Sequence, residues 1–440
     1  MHATGGRRRA SAAGLRILLG LTLVLTVLPC VSADADPPPW TTNTPIVTVR
    51  RELFRKHPRP GAAAMIQRQY AGPLREMVEV RSVEIRDDVP DEVEWRFSTD
   101  NGRTWSPPLA QPKTLSYPVG VEVWQGPACV AFDPRAGVLV QTWLRQIAHG
   151  GLWHNHTYWR LSSDHGRTWT DPRLFRYEPG ADFDPADPLK PEFLQRNQGY
   201  FGSNFLLHSS GVAIHALAHA NAPGDPGNQT RPWRMGSLCL VGKWDRKARD
   251  YHWTAGERVS VTPDISSRGL MEPEIAELRD HRVLVIWRGS DTPTTPGRKW
   301  YSVSSDRGLH LTPVRELRYD DGSRFYSPSS YHRMIRHSRT RKLYWLGNIC
   351  PEPPHGNMPR FPLVIAEVDE AGPAPALKKG TVTVIADREP GQSENVQFSN
   401  FSLIENRDTH DLELWLTAYS GIDPKNVNTA DCFHYILTPR

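Results

Sequence analysis

An octapeptide repeats along this chain of 440 residues, and the repeat limits the folds that the chain can adopt. Two full copies, at residues 98–105 and 162–169, read Ser-Thr-Asp-Asn-Gly-Arg-Thr-Trp and Ser-Ser-Asp-His-Gly-Arg-Thr-Trp. A weaker third copy lies at residues 304–311. Internal repeats of this kind are typical of chains built from several similar structural units. We therefore expect a regular array of small units.

Each full copy follows a run in which apolar and polar side chains alternate. These runs, residues 92–97 and 157–161, predict β-strands. The Asp-x-Gly that follows predicts a tight turn, because the carboxylate accepts backbone hydrogen bonds and glycine adopts a positive φ without strain. We therefore assign Asp100, Asp164 and Asp306 a structural role rather than a catalytic one.

The pattern Ser-x-Asp-x-Gly-x-Thr-Trp resembles the Asp-box, or BNR repeat, of the sialidase-like β-propellers. This resemblance implies an all-β fold, a six-bladed β-propeller of sialidase type, in which the Asp-box turns lie far from the active face. The spacing agrees, because Asp100 and Asp164 are 64 residues apart and Asp306 follows 142 residues later, about two units on. Worn copies at residues 244–245 and 368–372 complete five turns, and the C-terminal strands supply a sixth unit.

Paired apolar runs give the same count of units. Five pairs of short runs predict the buried inner strands of blades: 127–132 with 137–140, 204–207 with 212–215, 274–278 with 283–286, 329–335 with 342–346, and 400–404 with 412–416. We predict one propeller domain over residues 45–440, after a linker at 34–44. Residues 46–49 are expected to pair into the last blade and to close the ring, which removes a free sheet edge.

The N-terminus has the features of an export signal. Residues 1–33 combine three consecutive arginines, an apolar stretch over 15–27 and the small-residue sequence Val-Ser-Ala. That stretch is short for a membrane span. We therefore expect an exported protein, periplasmic or extracellular, without stable membrane insertion.

Charge and cysteine content exclude several classes of function. The formal charge of +5 includes four arginines and no acid within residues 1–33, so the rest of the chain is near +1 and a nucleic-acid partner is not supported. Cys129, Cys239, Cys350 and Cys432 lack the spacing of a metal site. We expect no metal and no cofactor, a monomer, and at most one disulfide, whose pairing the sequence leaves open.

The fourth blade carries the clearest chemical signature. Residues 271–278 begin with Met-Glu-Pro-Glu, and residues 283–288 end in Trp-Arg. They are similar to the sialidase stretch in which a Glu opens an inner strand and an Arg ends the next one. The resemblance implies that Glu272, with Glu274 beside it, is catalytic and that Arg288 belongs to an arginine cluster. Such a cluster binds the carboxylate of a sialic-acid-like sugar through bidentate hydrogen bonds.

Other blades supply further candidates. Arg145 ends a strand of blade 2 much as Arg288 does, Arg324 precedes the first strand of blade 5, and Asn204 is expected to bind sugar hydroxyls.

The family uses a tyrosine nucleophile, for which Tyr326, in a Tyr-Ser pair, is the candidate. The sequence departs from the family in lacking an Arg-Ile-Pro segment and in having Phe398 where the late Tyr would fall.

The predicted function is an exo-acting glycoside hydrolase that removes a terminal acidic sugar from a glycan. A polysaccharide lyase or another glycosidase on the same ring is the alternative, and His154 and His156 are then a candidate base or metal pair. The acidic loop over residues 177–198 is a candidate lid. A glycan-binding propeller without turnover is the third hypothesis, because fold does not decide function.

Overall fold

Six antiparallel β-sheets form a ring around a central axis. The computed structural model describes residues 38–86, 89–111, 114–117, 121–200, 202–220 and 234–440. Each sheet is a blade of four or five strands, so the fold is a six-bladed β-propeller, as the repeat predicts. The predicted export signal at residues 1–33 and the first linker residues lie outside the described residues.

The strands follow one another around the ring in chain order. A 3-10 turn at Pro39–Thr41 precedes strand β1 (Val47–Arg55). Blade 1 contains β2 (Ala63–Tyr70), β3 (Met77–Arg86), β4 (Val89–Ser98) and β5 (Leu109–Ala110). Blade 2 contains β6 (Thr114–Tyr117), β7 (Val121–Asp133), β8 (Val138–His149), β9 (Leu152–Ser162) and β10 (Arg173–Leu174).

The short helix α1 (Pro191–Leu194) lies in the loop between blades 2 and 3. Blade 3 contains β11 (Gly199–Tyr200), β12 (Leu206–Leu207), β13 (Ala213–Ala220), β14 (Met235–Asp245) and β15 (Asp250–Ala255). Blade 4 contains β16 (Met271–Glu277), β17 (Val283–Arg288), β18 (Lys299–Ser304) and β19 (Arg315–Glu316).

Blade 5 contains β20 (Arg333–Arg336), β21 (Leu343–Asn348), β22 (Leu363–Asp369), β23 (Ala376–Leu377) and β24 (Thr383–Ala386). A 3-10 turn at Lys379–Thr381 lies between its last two strands. Blade 6 contains β25 (Phe401–Glu405), β26 (Leu412–Thr417) and β27 (Cys432–Pro439).

Five turns occupy one equivalent place in blades 1 to 5. The three Asp-box copies and the two worn copies all connect the outermost strand of a blade to the strand beside it. In the first copy, Asp100 accepts hydrogen bonds from the Thr104 backbone N–H at 2.9 Å and from the Ser98 hydroxyl at 2.8 Å. Asp164 and Asp306 make the same two kinds of contact. The predicted structural role of the turn is therefore confirmed.

The ring closes through its two ends. Strand β1 pairs antiparallel with β27, with Val47 opposite Pro439 and Val49 opposite Leu437. The first strand is therefore the outer strand of blade 6, as the sequence predicts. This pairing covers the sheet edge that the last blade would otherwise expose.

The hydrophobic core lies between successive blades. Alternating side chains of neighbouring sheets interdigitate, which buries the central strands on both faces. The contacts between blades 4 and 5 and between blades 5 and 6 are extensive, with Trp345 and Tyr344 almost fully buried. The cluster between blades 1 and 2 is smaller and includes Val78, Trp95 and Leu139. Space therefore remains between these two blades.

The four cysteines among the described residues carry free thiols, so the disulfide considered from the sequence does not form among Cys129, Cys239, Cys350 and Cys432. Burial raises the pKa of each to about 12. Cys239, Cys350 and Cys432 therefore act as small buried side chains, whereas Cys129 is half-buried. Within the described ranges, no helix has the length and hydropathy needed to cross a bilayer.

Candidate functional site

A cavity of about 300 Å³ lies on the propeller axis and extends between blades 1 and 2. All six blades contribute to its lining. Its axial end is lined by Gln69, Cys129, Tyr200, Ser203, Glu272, Tyr331, Arg333, Asn400, Phe401 and Ser402. Its other end, the interblade gap, is lined by Val80, Ser82, Val93, Trp95, Gln111, Gln141, Trp143 and Arg160 among others. A second groove of about 430 Å³, beside Trp40 and Arg440, has no acidic side chain in its lining.

Glu272 reaches the cavity because the strand that carries it is distorted. The pairing of β16 with β17 slips between Met271 and Glu274, which is a β-bulge. Glu272 itself has a φ of +44°, a conformation that costs energy for a residue with a side chain. The Ser203 backbone N–H donates to the Pro273 carbonyl at 2.8 Å and holds the bulge from blade 3. Such local strain is characteristic of functional sites.

The Glu272 carboxylate forms an ion pair with Arg288. The distance from Oε2 to Nη1 is 2.8 Å, and both residues are only 7% exposed. The two sequence candidates therefore lie together, because adjacent strands of blade 4 carry them. The pair is close to neutral as a unit, so the positive charge of Arg288 is already compensated by the protein.

Glu274 forms a second acid–arginine pair, with Arg333 of blade 5. Its Oε1 accepts hydrogen bonds from Arg333 Nε at 3.0 Å and from the Met334 backbone N–H at 2.8 Å. Glu274 is fully buried, and burial raises its pKa to about 7, although Arg333 acts in the opposite direction. Glu274 therefore lies behind the cavity wall and positions Arg333, which lines the cavity.

Tyr331 is the next residue in this chain of contacts. Its hydroxyl accepts a hydrogen bond from Arg333 Nη1 at 3.3 Å, and its ring lines the cavity. Burial raises the pKa of Tyr331 to about 12, so the phenol is neutral at neutral pH. A neutral hydroxyl beside a guanidinium can approach an anionic sugar without charge repulsion.

A buried lysine fixes the segment that carries Tyr331. Lys299 is fully buried and donates from Nζ to the Pro328 carbonyl at 2.9 Å and the Ser330 carbonyl at 2.8 Å. Burial lowers its pKa well below the usual range. The two bonds satisfy backbone carbonyls ahead of β20 and set the direction in which Tyr331 enters the cavity.

Tyr326 and Arg324 do not line this cavity. Tyr326 lies beside Arg298, with the guanidinium 5.4 Å from the ring centre, and its backbone bridges to Cys350. The side chain of Arg324 is 60% exposed and pairs with Glu316 at 3.1 Å. Tyr331, five residues farther along the same segment, lines the cavity instead.

Arg145 and Asn204 also have other partners. The Arg145 guanidinium lies 4.3 Å from the centre of the Tyr158 ring and 4.9 Å from that of Phe183. The Asn204 amide donates to the Ile275 carbonyl at 2.6 Å and accepts from the Ile275 N–H at 2.9 Å. Asn204 thus joins blade 3 to blade 4, and neither residue lines the cavity.

The histidines considered as a base or metal pair are part of the packing. His156 is fully buried and stacks on Phe193 with 4.1 Å between ring centres, and its Nε2 lies 3.1 Å from the Phe193 carbonyl. Burial lowers the pKa of His156 to about 3. His154 is also buried. Within the described residues no group of His, Cys, Asp or Glu side chains has the arrangement of a metal site.

The acidic loop over residues 177–198 packs along blade 2 through α1. Asp182 forms an ion pair with Arg176 at 2.6 Å, and its side chain is 78% exposed. The acidic side chains of this loop do not line the cavity. The structure therefore gives the loop contacts with blade 2 and no catalytic acid in the site.

Sequence reasoning missed Tyr331, Arg333 and Arg160. A signal for the first two exists, because Tyr331 and Arg333 lie two residues apart where the chain enters β20, and both line the cavity. Alternate residues of a strand share one face. Arg160 has no comparable signal, because its position in the cavity depends on how far apart blades 1 and 2 pack.

Several solved structures are similar to this one. A protein of unknown function from Dyadobacter fermentans matches with a TM-score of 0.60 and 13% identity, over 89% of this chain and 99% of its own. The NanB sialidase from Streptococcus pneumoniae matches with a TM-score of 0.57 and 12% identity, over 88% and 70%. The α-L-arabinanase of Penicillium chrysogenum, complexed with arabinobiose, matches with 0.51 and 13%, over 90% and 99%.

The TM-scores show a shared fold, and at 12–13% identity the similarity goes no further than the fold. No protein-family model matches the chain, and no curated protein matches its sequence. The propeller is thus one that known glycoside hydrolases also use.

Proposed function

We propose that this protein is a glycoside hydrolase that releases a terminal acidic sugar from a glycan at the axial end of the cavity. The observation that carries the proposal is the position of Glu272. Its carboxylate is held in a strained bulge, lines the cavity and faces the same space as Tyr331 and Arg333. The sialidase and arabinanase neighbours support a glycosidic substrate.

The roles follow from the contacts. Tyr331 is the nucleophile, Glu272 is the base that accepts its proton, and Arg333 donates a hydrogen bond to the phenol oxygen as negative charge develops there. Glu274 and Arg288 position these groups by pairing with Arg333 and Glu272. Tyr331 thereby takes the role that the sequence suggests for Tyr326.

The proposed reaction balances in two steps. In the first step the Tyr331 oxygen bonds to the anomeric carbon, the glycosidic C–O bond breaks, the phenol proton moves to Glu272, and the leaving oxygen takes a proton from water. In the second step water attacks the anomeric carbon, the C–O bond to Tyr331 breaks, Glu272 returns the proton to the phenol oxygen, and the surplus proton of the attacking water neutralises the hydroxide left by the first step. Splitting the displacement into two steps lowers the barrier of each.

The experiment compares Glu272→Gln with Glu257→Gln. Purified protein is incubated with fluorogenic glycosides of acidic sugars, including sialic acid and uronic acids. We expect Glu272→Gln to lose about a hundredfold or more of the turnover, the range for a proton-transfer group. Glu257 is exposed near His310, away from the cavity, so its substitution should leave turnover unchanged.

Three results would contradict the proposal. Equal turnover by wild type and Glu272→Gln would show that Glu272 is not a catalytic residue. Ultraviolet absorbance from an unsaturated uronide would indicate a lyase. Glycan binding without any product from the panel would indicate a binding propeller.

A further inference from the structure

The interblade gap contains a guanidinium that the protein leaves without an acidic partner. Arg160, on β9, lines the cavity and is partly buried. Its Nε donates to Gln141 Oε1 at 2.6 Å. In the part of the chain that the structure describes, no carboxylate forms an ion pair with Arg160. Burial alone lowers its pKa to about 10, so the side chain stays cationic at neutral pH.

The other cavity arginine is different. Arg333 pairs with Glu274 at 3.0 Å, and Arg288 behind the wall pairs with Glu272 at 2.8 Å. A charge held partly out of water without an acidic partner loses some solvation that no ion pair replaces, which distinguishes Arg160 from these two paired arginines. Arg160 therefore has its positive charge available for a ligand that enters the cavity.

The surroundings of Arg160 suit a sugar. Its guanidinium carbon lies 5.1 Å from the centre of the Trp143 ring and 4.6 Å from that of Trp169, which holds the side chain in place. Trp143 and Trp95 line the gap as apolar surfaces, and Gln111 provides an amide beside them. Aromatic walls with a few polar groups are typical of small-molecule sites.

The interblade gap lies farther from the propeller axis than the proposed reacting groups do. Arg160 lies on the third long strand of blade 2, two strands outward from β7. Strands in a sheet are spaced by about 4.8 Å, so Arg160 is roughly 10 Å farther from the axis than β7 is. An anionic group bound there is therefore on a different part of the substrate from the sugar at Glu272.

We propose that the interblade gap is an anion-recognising subsite, in which Arg160 binds the carboxylate or sulfate of the glycan unit next to the one released. The inference rests on the proposed function for the identity of the neighbouring sugar, although the anion site itself does not need turnover. Arg160 recognises the anion by charge and paired N–H donors, and Trp143 packs against the ring. The substrate class is then an acidic glycan with charge beyond its terminal residue.

The test measures binding calorimetrically in a Glu272→Gln background, where turnover is blocked. The probes are three matched disaccharides whose second unit carries a carboxylate, a sulfate or a neutral hydroxymethyl group. We expect the anionic probes to bind at least about tenfold more tightly than the neutral one, as for hydrogen bonds to a charged group. Comparing carboxylate with sulfate identifies which anion the gap prefers.

Arg160→Gln should abolish that preference, and Arg160→Lys should retain part of it because the charge remains. Thermal unfolding of each variant identifies any loss of folding, and Arg160→Lys keeps the test valid if Arg160→Gln is unstable. Equal binding of all three probes by the parent protein, or an anion preference unchanged in Arg160→Gln, would overturn the inference.

The two proposals can fail separately. If the anionic probes bind selectively through Arg160 but the wild type hydrolyses no substrate, the subsite proposal stands and the glycosidase proposal is wrong. If the wild type hydrolyses substrates with a charged and a neutral second unit equally well, the subsite proposal is wrong and the glycosidase proposal stands.

Discussion

The two ends of the cavity treat charge in opposite ways. At the axial end, Glu272 pairs with Arg288 and Glu274 with Arg333, so that each charge has a protein partner. In the interblade gap, Arg160 donates a hydrogen bond to the neutral amide of Gln141, and its guanidinium lies over the indole rings of Trp143 and Trp169. Paired charges are held in place, whereas an unpaired one is free to bind a ligand.

The backbone differs between the two ends as well. The axial end depends on strained or irregular segments, namely the bulge at Glu272 and the positive φ of 58° at Asn400. The gap residues Trp95, Gln141 and Arg160 lie where the strands of blades 1 and 2 pair in regular register, and the apolar cluster between these blades is small. We infer that strain positions reacting groups at the axis, while the width of the gap sets which substrates fit.

The largest effect should follow from removing one oxygen at the axial end. Tyr331→Phe deletes the proposed nucleophile and keeps the ring, so kcat should fall by about a thousandfold while binding of an acidic glycoside is retained. Steady-state kinetics with a fluorogenic substrate measure the change. Tyr326→Phe is the matched control, because Tyr326 does not line the cavity. A loss in the control as large as in Tyr331→Phe would point to the family position instead.

A smaller effect concerns the buried pair behind the axial end. Burial raises the pKa of Glu274 from 4.5 to about 7, so the folded protein holds this proton more tightly than the unfolded chain does. The free energy of unfolding contributed by this group therefore declines as the pH rises from about 5 to about 7. Glu274→Gln should remove that decline, as measured by urea unfolding at pH 5 and pH 7.5. An identical decline in the variant would show that other groups cause it.

The smallest expected effect is in the gap. Gln141→Leu removes the acceptor that orients Arg160 but leaves its charge, so affinity for an anionic disaccharide should fall about fivefold, the loss of one ordinary hydrogen bond. The neutral disaccharide should be unaffected, which calorimetry can check. A loss of equal size for both probes would mean that Gln141 binds sugar directly, and the contrast between the two ends would then need revision.

Local chemistry explains how much of the fold was predictable. The turn at Asp100 is specified by contacts within eight residues, so its recurrence at residues 162–169 and 304–311 reveals the blades without tertiary information. Strand β1 was assigned to blade 6 because a propeller leaves no free edge. These features depend on short-range sequence or on the closure of the ring.

The site was only partly predictable because it depends on contacts between blades. Glu272 and Arg288 meet because their strands are hairpin neighbours, which sequence spacing conveys. Tyr331 enters the cavity in place of Tyr326 because Lys299 holds the Pro328 and Ser330 carbonyls, a contact across about 30 residues of sequence. Arg160 depends on the packing of blades 1 and 2, which no local pattern encodes.

Covalent labelling can establish whether the glycosidic bond breaks at the axial end of the cavity. A fluorinated acidic glycosyl fluoride, which forms the glycosyl-enzyme quickly and hydrolyses it slowly, is added to the wild-type protein before peptide mapping by mass spectrometry. We expect one sugar per chain, attached to Tyr331. A label on a residue outside the cavity, or active enzyme that carries no label on Tyr331, would contradict it.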